Sequence, residues 1–326
     1  MLVVICSFSI TNERKTFGFP AALTTYLLQH LNPVRLKIAR EQKTHAALAE
    51  AKAVLIGRAI MDQNRPGSLP CPDTDDNGSA DLFAGNRCPK YIGRFPWRTL
   101  GIPALQDGDG ERLWYTLSSN YRDHSAVMPL NSNVAGFLSV DAKQDIVAVI
   151  FAVGATVATQ NGRPSNAHTD YLEGENADLD TVFSAVQSPL QNDRLLVITR
   201  AELMQQVEKR LLGEAANALQ KYFDNPTHAY FPYATLANNG RCDSHLLNSG
   251  FIPVPYPPDC PVSSLPDIGV WFKDNAWMPL LRYEVAPACV QSMSNCSGAG
   301  FITDGEFNDV RVRLMMIATG QKRLIR

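Results

Sequence analysis

The chain has 326 residues, enough to bury one large core or two smaller ones. Hydrophobic residues make up 45% of it and charged residues 19%, a composition that excludes a disordered chain. Its 30 basic and 32 acidic residues are mixed along the sequence and leave a formal charge of -2. Because no basic stripe is present to neutralise a run of phosphates, the sequence excludes nucleic acid as a partner.

Seven cysteines indicate the compartment in which the chain folds. Six of them fall as sequential pairs in stretches rich in Pro, Gly, Asn or Ser, and of the 15 connectivities the sequential one is predicted. The predicted disulfides are Cys71–Cys88, Cys242–Cys260 and Cys289–Cys296. A reducing cytosol would leave such bonds open, so we expect the periplasmic side of the inner membrane. Zinc thiolates and free thiols are the alternatives, although no CxxC occurs and the histidines lack ligand spacing.

Residues 1–33 are interpreted as a degenerate or truncated anchor segment. Their longest apolar runs, Met1 to Phe8 and Phe17 to Leu31, are short or interrupted. Neither reaches the ~20 apolar residues that span a bilayer. We therefore expect contact with the inner membrane only if an upstream anchor exists.

The sequence from Val34 to Ile60 is rich in Ala, Leu, Lys, Glu and Gln, without internal proline, and predicts a long helix. Apolar residues recur along it at three- and four-residue spacing, which predicts one buried face. That packing face consists of Leu48, Ala51, Leu55 and Ala59. Strand candidates follow at Tyr91 to Pro96, Arg112 to Leu117 and Asp145 to Val153, and they predict a small antiparallel sheet beside the helix.

A second helix is predicted from Thr199, which has Glu202 at capping-box spacing, to about Phe223. Features of the first half recur around it in the same order: LAEAKAVL (48–55) matches LGEAANAL (212–219), Leu69-Pro70 matches Phe231-Pro232, and LWYTL (113–117) matches LRYEV (281–285). The order predicts a duplicated helix, loop and sheet unit, against the alternative that Ala/Leu-rich helices look alike by chance.

The predicted organisation follows from this repeat. A first helix-loop-sheet module covers residues 34–130, connecting strands and a polar loop cover 131–198, and a second module covers 199–326. The fold class is α+β.

Several separated motifs resemble type IV pilins and type II secretion pseudopilins, which are prepilin-type proteins of the bacterial envelope. The motifs are ALAEAKAVLIG, LPCPDTDDNG and GRFPWRTLGIP between residues 46 and 103, then YLEGEN (171–176) and NDRLLVITRAEL (192–203). The resemblance implies a long helix packed on a small antiparallel sheet, and a protein that acts by assembly. The N-terminus departs from the prepilin pattern, since Pro20 follows Gly18-Phe19 and Leu23 stands at the place of the prepilin glutamate.

The run DTDDNGSAD (73–81) is the strongest chemical motif. Oxygen ligands at alternate positions around a glycine suit a hard cation, so calcium is a candidate ion. The candidate ligands are Asp73, Asp75, Asn77 and Asp81. Position twelve of the loop is Ala84 rather than the usual glutamate, and the alternative is an Asp/Asn/Gly turn without an ion.

No catalytic motif stands out, because the sequence contains no GxSxG, HExxH or phosphate-binding glycine loop. His168 beside Asp170 is better interpreted as part of a solvated loop than as a general base. The sequence therefore predicts no enzyme and no cofactor beyond the candidate calcium. It predicts a structural or assembly subunit of a pilus or type II secretion-like apparatus, whose partners are other pilin-like or secretion-apparatus subunits. The alternative is a soluble periplasmic ligand-binding or adhesive protein that reuses the pilin-like module.

Overall fold

The computed structural model describes residues 33–124, 128–160, 162–226, 230–236, 247–253, 268, 270–286, 289, 312–318 and 321–324. This part of the chain contains three α-helices and two sheets, which are formed by separate stretches of the sequence. The predicted α+β class is therefore confirmed. The helices are α1 (Pro33–Met61), α2 (Arg200–Asp224) and α3 (Val270–Asp274). Residues 1–32 of the predicted anchor segment (1–33) lie outside the described residues, so the anchor stays a prediction, and Pro33 is the first residue of α1.

The first sheet contains six strands in the order β1-β2-β4-β3-β5, and β6 also pairs with β4. The strands are β1 (Ile92–Arg94), β2 (Trp114–Leu117), β3 (Leu138–Val140), β4 (Lys143–Ala152), β5 (Val182–Phe183) and β6 (Arg194–Thr199). All pairings are antiparallel except that of β3 with β5. The three predicted strand regions of the first half are confirmed as β1, β2 and β4.

The second sheet has the order β7-β8-β9-β10, and all its pairings are antiparallel. Its strands are β7 (Ser249–Phe251), β8 (Leu281–Val285), β9 (Val312–Ala318) and β10 (Gln321–Leu324). The LRYEV segment is β8, and its side chains alternate between buried and half-buried, as expected when one face of a strand meets a core.

Helix α1 covers the residues of the predicted helix. The four predicted face residues are buried against β4, β6 and α2. The helix ends where the Asp62 carboxylate accepts hydrogen bonds from the backbone N–H groups of Asn64 (2.9 Å) and Arg65 (2.7 Å). Arg210 of α2 donates to the carbonyl groups of Ile60 and Asp62, so it binds carbonyls that have no partner inside the helix.

Helix α2 begins with the predicted cap, because the Thr199 side chain accepts a hydrogen bond from the Glu202 N–H at 3.2 Å. Its buried residues recur along one face, from Leu203 to Tyr222. This face contacts β4 and β6 of the first sheet and β9 of the second. One continuous hydrophobic core contains residues of α1, α2, α3 and both sheets.

Both halves of the chain tie the segment after the helix to the sheet by the same hydrogen bond. The buried Tyr115 hydroxyl in β2 donates to the carbonyl of Pro70 at 3.2 Å. The buried Tyr283 hydroxyl in β8 donates to the carbonyl of Pro232 at 2.8 Å. These are the tyrosines of LWYTL and LRYEV and the prolines of the Leu-Pro and Phe-Pro pairs.

The backbone crosses the sheet closely at a glycine in each half. Gly93 pairs with Tyr115 in β1–β2, and Gly250 pairs with Tyr283 in β7–β8. A Cβ on Gly93 would lie 2.7 Å from the Asp73 carbonyl oxygen, and one on Gly250 would lie 2.5 Å from that of Thr235. Residues with a side chain would collide with the crossing backbone at both sites.

The backbone hydrogen bonds around the two crossings also match. In the first half, the Leu69 N–H donates to the Tyr121 carbonyl at 2.7 Å, and in the second half the Phe231 N–H donates to the Cys289 carbonyl at the same distance. The antiparallel bridge between Asp73 and Arg94 in the first half likewise matches the one between Thr235 and Phe251 in the second. Residues 131–198, predicted as connecting strands and a loop, contribute β3 to β6 to the first sheet. The predicted module boundaries stay a prediction.

We expect Gly93→Ala to lower the free energy of unfolding by about 2 kcal/mol, because the new methyl group meets backbone atoms that cannot rotate away. Gly213→Ala in α2 is the matched control: no atom lies within 4 Å of its Cβ position, so it should stabilise the helix by roughly 0.5–1 kcal/mol. Urea denaturation measures both. Equal effects of the two substitutions would contradict the close crossing.

Candidate functional site: the Cys71–Cys88 loop and the Arg94 cleft

The predicted Cys71–Cys88 disulfide is present, with its Cα atoms 5.5 Å apart. It closes a loop of sequence separation 17 directly after the crossing at Pro70. Cys289 is buried and disulfide-bonded. Cys242, Cys260 and Cys296 lie outside the described residues, so the two other predicted pairings stay predictions.

The acidic run inside this loop is organised by its own hydrogen bonds. The buried Asp73 carboxylate accepts from the backbone N–H groups of Asp76 (2.8 Å) and Gly78 (2.6 Å). Asp81 accepts from the Thr74 hydroxyl at 2.6 Å. Asp75 accepts from the backbone N–H (3.2 Å) and the side-chain amide (2.8 Å) of Asn77. The loop therefore supplies donors for three of its own carboxylates, as Asp-rich turns do.

Three of the four candidate calcium ligands come together. One carboxylate oxygen each of Asp73, Asp75 and Asp81 lies within 4.8 Å of the others. The Asn77 side-chain oxygen instead accepts from the Ser79 N–H at 2.7 Å. Burial raises the pKa of Asp73, with a further contribution from Asp75, whereas the Asn77 N–H lowers the pKa of Asp75. Calcium at this cluster stays a prediction.

The calcium prediction is tested by Asp75→Ala. An ion held by these oxygens would make the substitution lower the melting temperature in calcium but hardly in a chelator, because only the ion-bound state loses a ligand. Thermal unfolding in the two buffers measures this. An equal loss in both would refute calcium and support the turn alternative.

Asp76 of the same loop reaches a polar cleft that we call the Arg94 cleft. Asp76 has a positive φ of 66°, and its carboxylate lies beside two arginines. Its Oδ1 lies 3.2 Å from Arg94 Nε, and its Oδ2 accepts from Arg112 Nη2. The cleft has a volume of about 510 Å³. It is lined by Asp76, Arg94, Gln106, Gly110, Glu111, Arg112, Pro164, Ser165, Asn166 and Tyr171.

The Arg94 guanidinium packs against a pair of aromatic rings, Trp114 and Tyr171, whose centroids lie 5.2 Å apart. Its carbon lies 4.9 Å from the ring centroid of Trp114 and 4.4 Å from that of Tyr171. Arg94 Nη2 donates to the Ser165 carbonyl at 3.0 Å. Because Arg stacks on aromatic faces while keeping its donors in plane, this arrangement holds the cation rigidly at the cleft.

Two buried polar side chains hold the walls of the cleft. Asp107 accepts from the backbone N–H groups of Asp109, Glu111 and Gly154, which links the 107–111 turn to the end of β4. Arg163 donates to the carbonyls of Gly154, Asp170 and Tyr171 and to the Gln160 side chain. The walls are therefore fixed without any contribution from a ligand.

A buried pair of acids lies where the YLEGEN and NDRLLVITRAEL motifs meet. Glu173 Oε2 accepts from the N–H groups of Asn192 (3.0 Å) and Asp193 (3.3 Å). Asp193 Oδ2 accepts from the Glu173 N–H at 3.1 Å and the Asn176 amide at 3.0 Å. Burial, followed by the charge of Glu173, raises the pKa of Asp193 to about 8, and burial also raises the pKa of Glu173.

We expect the stability of the protein to fall as the pH rises from about 4 to 8, since the folded state holds a proton on Asp193 that the unfolded chain releases near its ordinary pKa. Asp193→Asn copies the protonated acid and should flatten this slope. The exposed Asp178→Asn is the control and should leave it unchanged. Urea midpoints across this pH range measure the effect, and an unchanged slope in Asp193→Asn would contradict a shared buried proton.

The sequence located the Cys71–Cys88 loop but not the cleft. His168 and Asp170 share a 3-10 turn, in which the Asp170 carboxylate accepts from the Ser165 hydroxyl at 2.6 Å. Burial lowers the pKa of His168. The sequence did not indicate Arg94 and Arg112 as site residues, because isolated arginines beside strands have no characteristic spacing. The position of Arg94 inside the GRFPW motif was the one sequence feature that pointed to it.

Among the described residues, none of the helices is long and apolar enough to cross a membrane. Comparisons of the chain with protein-family models, with curated proteins and with solved structures find no match.

Proposed function

We propose that this chain is a structural subunit of a pilus or type II secretion-like apparatus, and that it acts through protein–protein contacts on the periplasmic side of the inner membrane. The proposal is carried by the start of α1. No residue from Pro33 to Lys43 is buried, and the buried face begins only at Thr44. Eleven helical residues correspond to a length of ~16 Å.

The exposed start of α1 carries apolar side chains. Val34 is 61% exposed, and Leu36 and Ile38 are each 48% exposed. A helical end gains little stability from propensity alone, because most helical stability in proteins comes from packing an apolar face. Burial of these side chains on a partner would supply that packing. The start of α1 is thus the part of the described chain best suited to assembly.

Two further observations support the proposal. The Cys71–Cys88 disulfide favours an oxidising compartment, as expected for the periplasm. The matched crossings at Gly93 and Gly250 support a duplicated helix-on-sheet unit, since they repeat the same side-chain and backbone hydrogen bonds in the same order. A pilin-like reading of the first unit fits a helix that packs on its sheet from Thr44 onward and leaves its first eleven residues unburied.

We expect the double substitution Val34→Asp with Ile38→Asp to abolish chemical crosslinks between this protein and envelope subunits in cells of the native organism. Both side chains are exposed, so the melting temperature should stay within about 1 °C of the wild-type value. Leu82→Asp is the control, because Leu82 is 88% exposed and lies outside α1. It should keep both the crosslinks and the stability.

Crosslinked species are identified by mass spectrometry after fractionation of the envelope. An unchanged crosslink pattern in the α1 variant would contradict assembly through this helix. Recovery of the wild-type protein from the cytosol in reduced form would contradict the proposed compartment.

A further inference from the structure

We propose that the Arg94 cleft binds a small organic carboxylate. The proposal is independent of the assembly role, since the cleft is formed by the Cys71–Cys88 loop, the 106–112 turn and the 164–171 segment, whereas assembly is assigned to the start of α1.

The charges of the cleft favour an anion with a single negative charge. Glu111 is paired at 3.5 Å with Arg163, which is not one of the lining residues. The other lining charges are Arg94 and Arg112, which share the carboxylate of Asp76. Two cations with one anion leave one positive charge without a counter-charge. Asp76 and Glu111 lie on the same lining and would repel a phosphate dianion more strongly than a monocarboxylate.

Arg94 has donors left over for such a ligand. Its side chain is only 6% exposed, yet it lines the cleft. Within the described part of the chain, Nη2 donates to Ser165 and Nε faces Asp76, while no acceptor contacts Nη1. A nearly buried cation with unused N–H groups on Nη1 gains more from an acceptor than an exposed one does.

The planar geometry of guanidinium selects the chemistry of that acceptor. One N–H of Nη1 and one of Nη2 are parallel and match the two oxygens of a carboxylate, and packing against Trp114 and Tyr171 restrains the guanidinium plane before a ligand arrives. The volume of about 510 Å³ is that of a small-molecule site and exceeds one carboxylate group. Gln106 and Asn166 on the lining offer hydrogen bonds to the remainder of the ligand.

Calorimetric titration of the full chain with propionate tests the inference, with propionamide as the uncharged isostere and inorganic phosphate as the competing anion. We expect saturable binding of propionate below about 50 mM and no binding of propionamide at the same concentration. Binding of propionamide with equal affinity, preference for phosphate over propionate, or no saturable heat with propionate would each overturn the proposal.

Substitutions at the exposed Asn166 keep the fold while they change the charge of the cleft. We expect Asn166→Glu to weaken propionate binding by about threefold and Asn166→Lys to strengthen it by about as much. Gln63→Glu adds the same charge at an exposed position outside the lining and should have no effect. Equal affinities of the two Asn166 variants would overturn the assignment of the site.

Arg94→Lys separates charge from geometry, because lysine keeps the cation but loses the planar pair of donors. We expect binding to weaken by about tenfold. Arg98→Lys is the matched control, since Arg98 also lies over a tryptophan ring, at 5.2 Å from Trp97, but does not line the cleft. An unchanged affinity in a folded Arg94→Lys variant would show that the guanidinium does not hold the ligand and would overturn the proposal.

Discussion

The structure depends on one constraint, the close passage of the segment after each helix over its sheet. In the first half this segment runs from Leu69 to Asp73, and it touches the sheet at a glycine because no side chain fits between the two backbones. The Tyr115 hydroxyl fixes the crossing at Pro70. The helix before the crossing and the loop after it are consequently positioned relative to the same strands.

The crossing also determines the position of both candidate sites, the Cys71–Cys88 loop and the Arg94 cleft. Cys71 comes directly after Pro70, so its disulfide with Cys88 closes the loop at the sheet edge and adds roughly 3 kcal/mol in the chain-entropy view. Asp76 in the closed loop then contacts Arg94, which lies in β1, the strand that the segment from Leu69 to Asp73 crosses. A single buried hydroxyl bond, worth about 1 kcal/mol, contributes less than this closure. The disulfide is thus the stronger restraint on the Arg94 cleft, and the tyrosine bond supports it.

The elements with a local signal could be predicted from the sequence. Helix α1 follows from its Ala/Leu stripe, the cap of α2 from Thr199 and Glu202, and the disulfide from two loop cysteines at short spacing. The correspondence of Tyr115 with Tyr283 could also be predicted from the sequence. Their hydrogen bonds to proline carbonyls could not, because no sequence pattern identifies a hydrogen-bond partner that is distant along the chain.

Elements that depend on long-range pairing were beyond a single sequence. The parallel pairing of β5 with β3 adds a two-residue strand, directly after the polar loop, that no sequence pattern indicated. The Arg94 cleft joins segments about 70 residues apart. The carboxyl pair of Glu173 and Asp193 lies in motifs that were noticed for their resemblance, while the burial that raises both pKa values depends on long-range packing.

Disulfide mapping of the protein isolated from its native cells under thiol-blocking conditions tests the central claim most directly. If the loop after the crossing is closed by a disulfide outside the cytosol, nearly every molecule should yield a peptide in which Cys71 is joined to Cys88. Recovery of both cysteines as blocked free thiols would contradict the closed loop and, with it, the proposed envelope location.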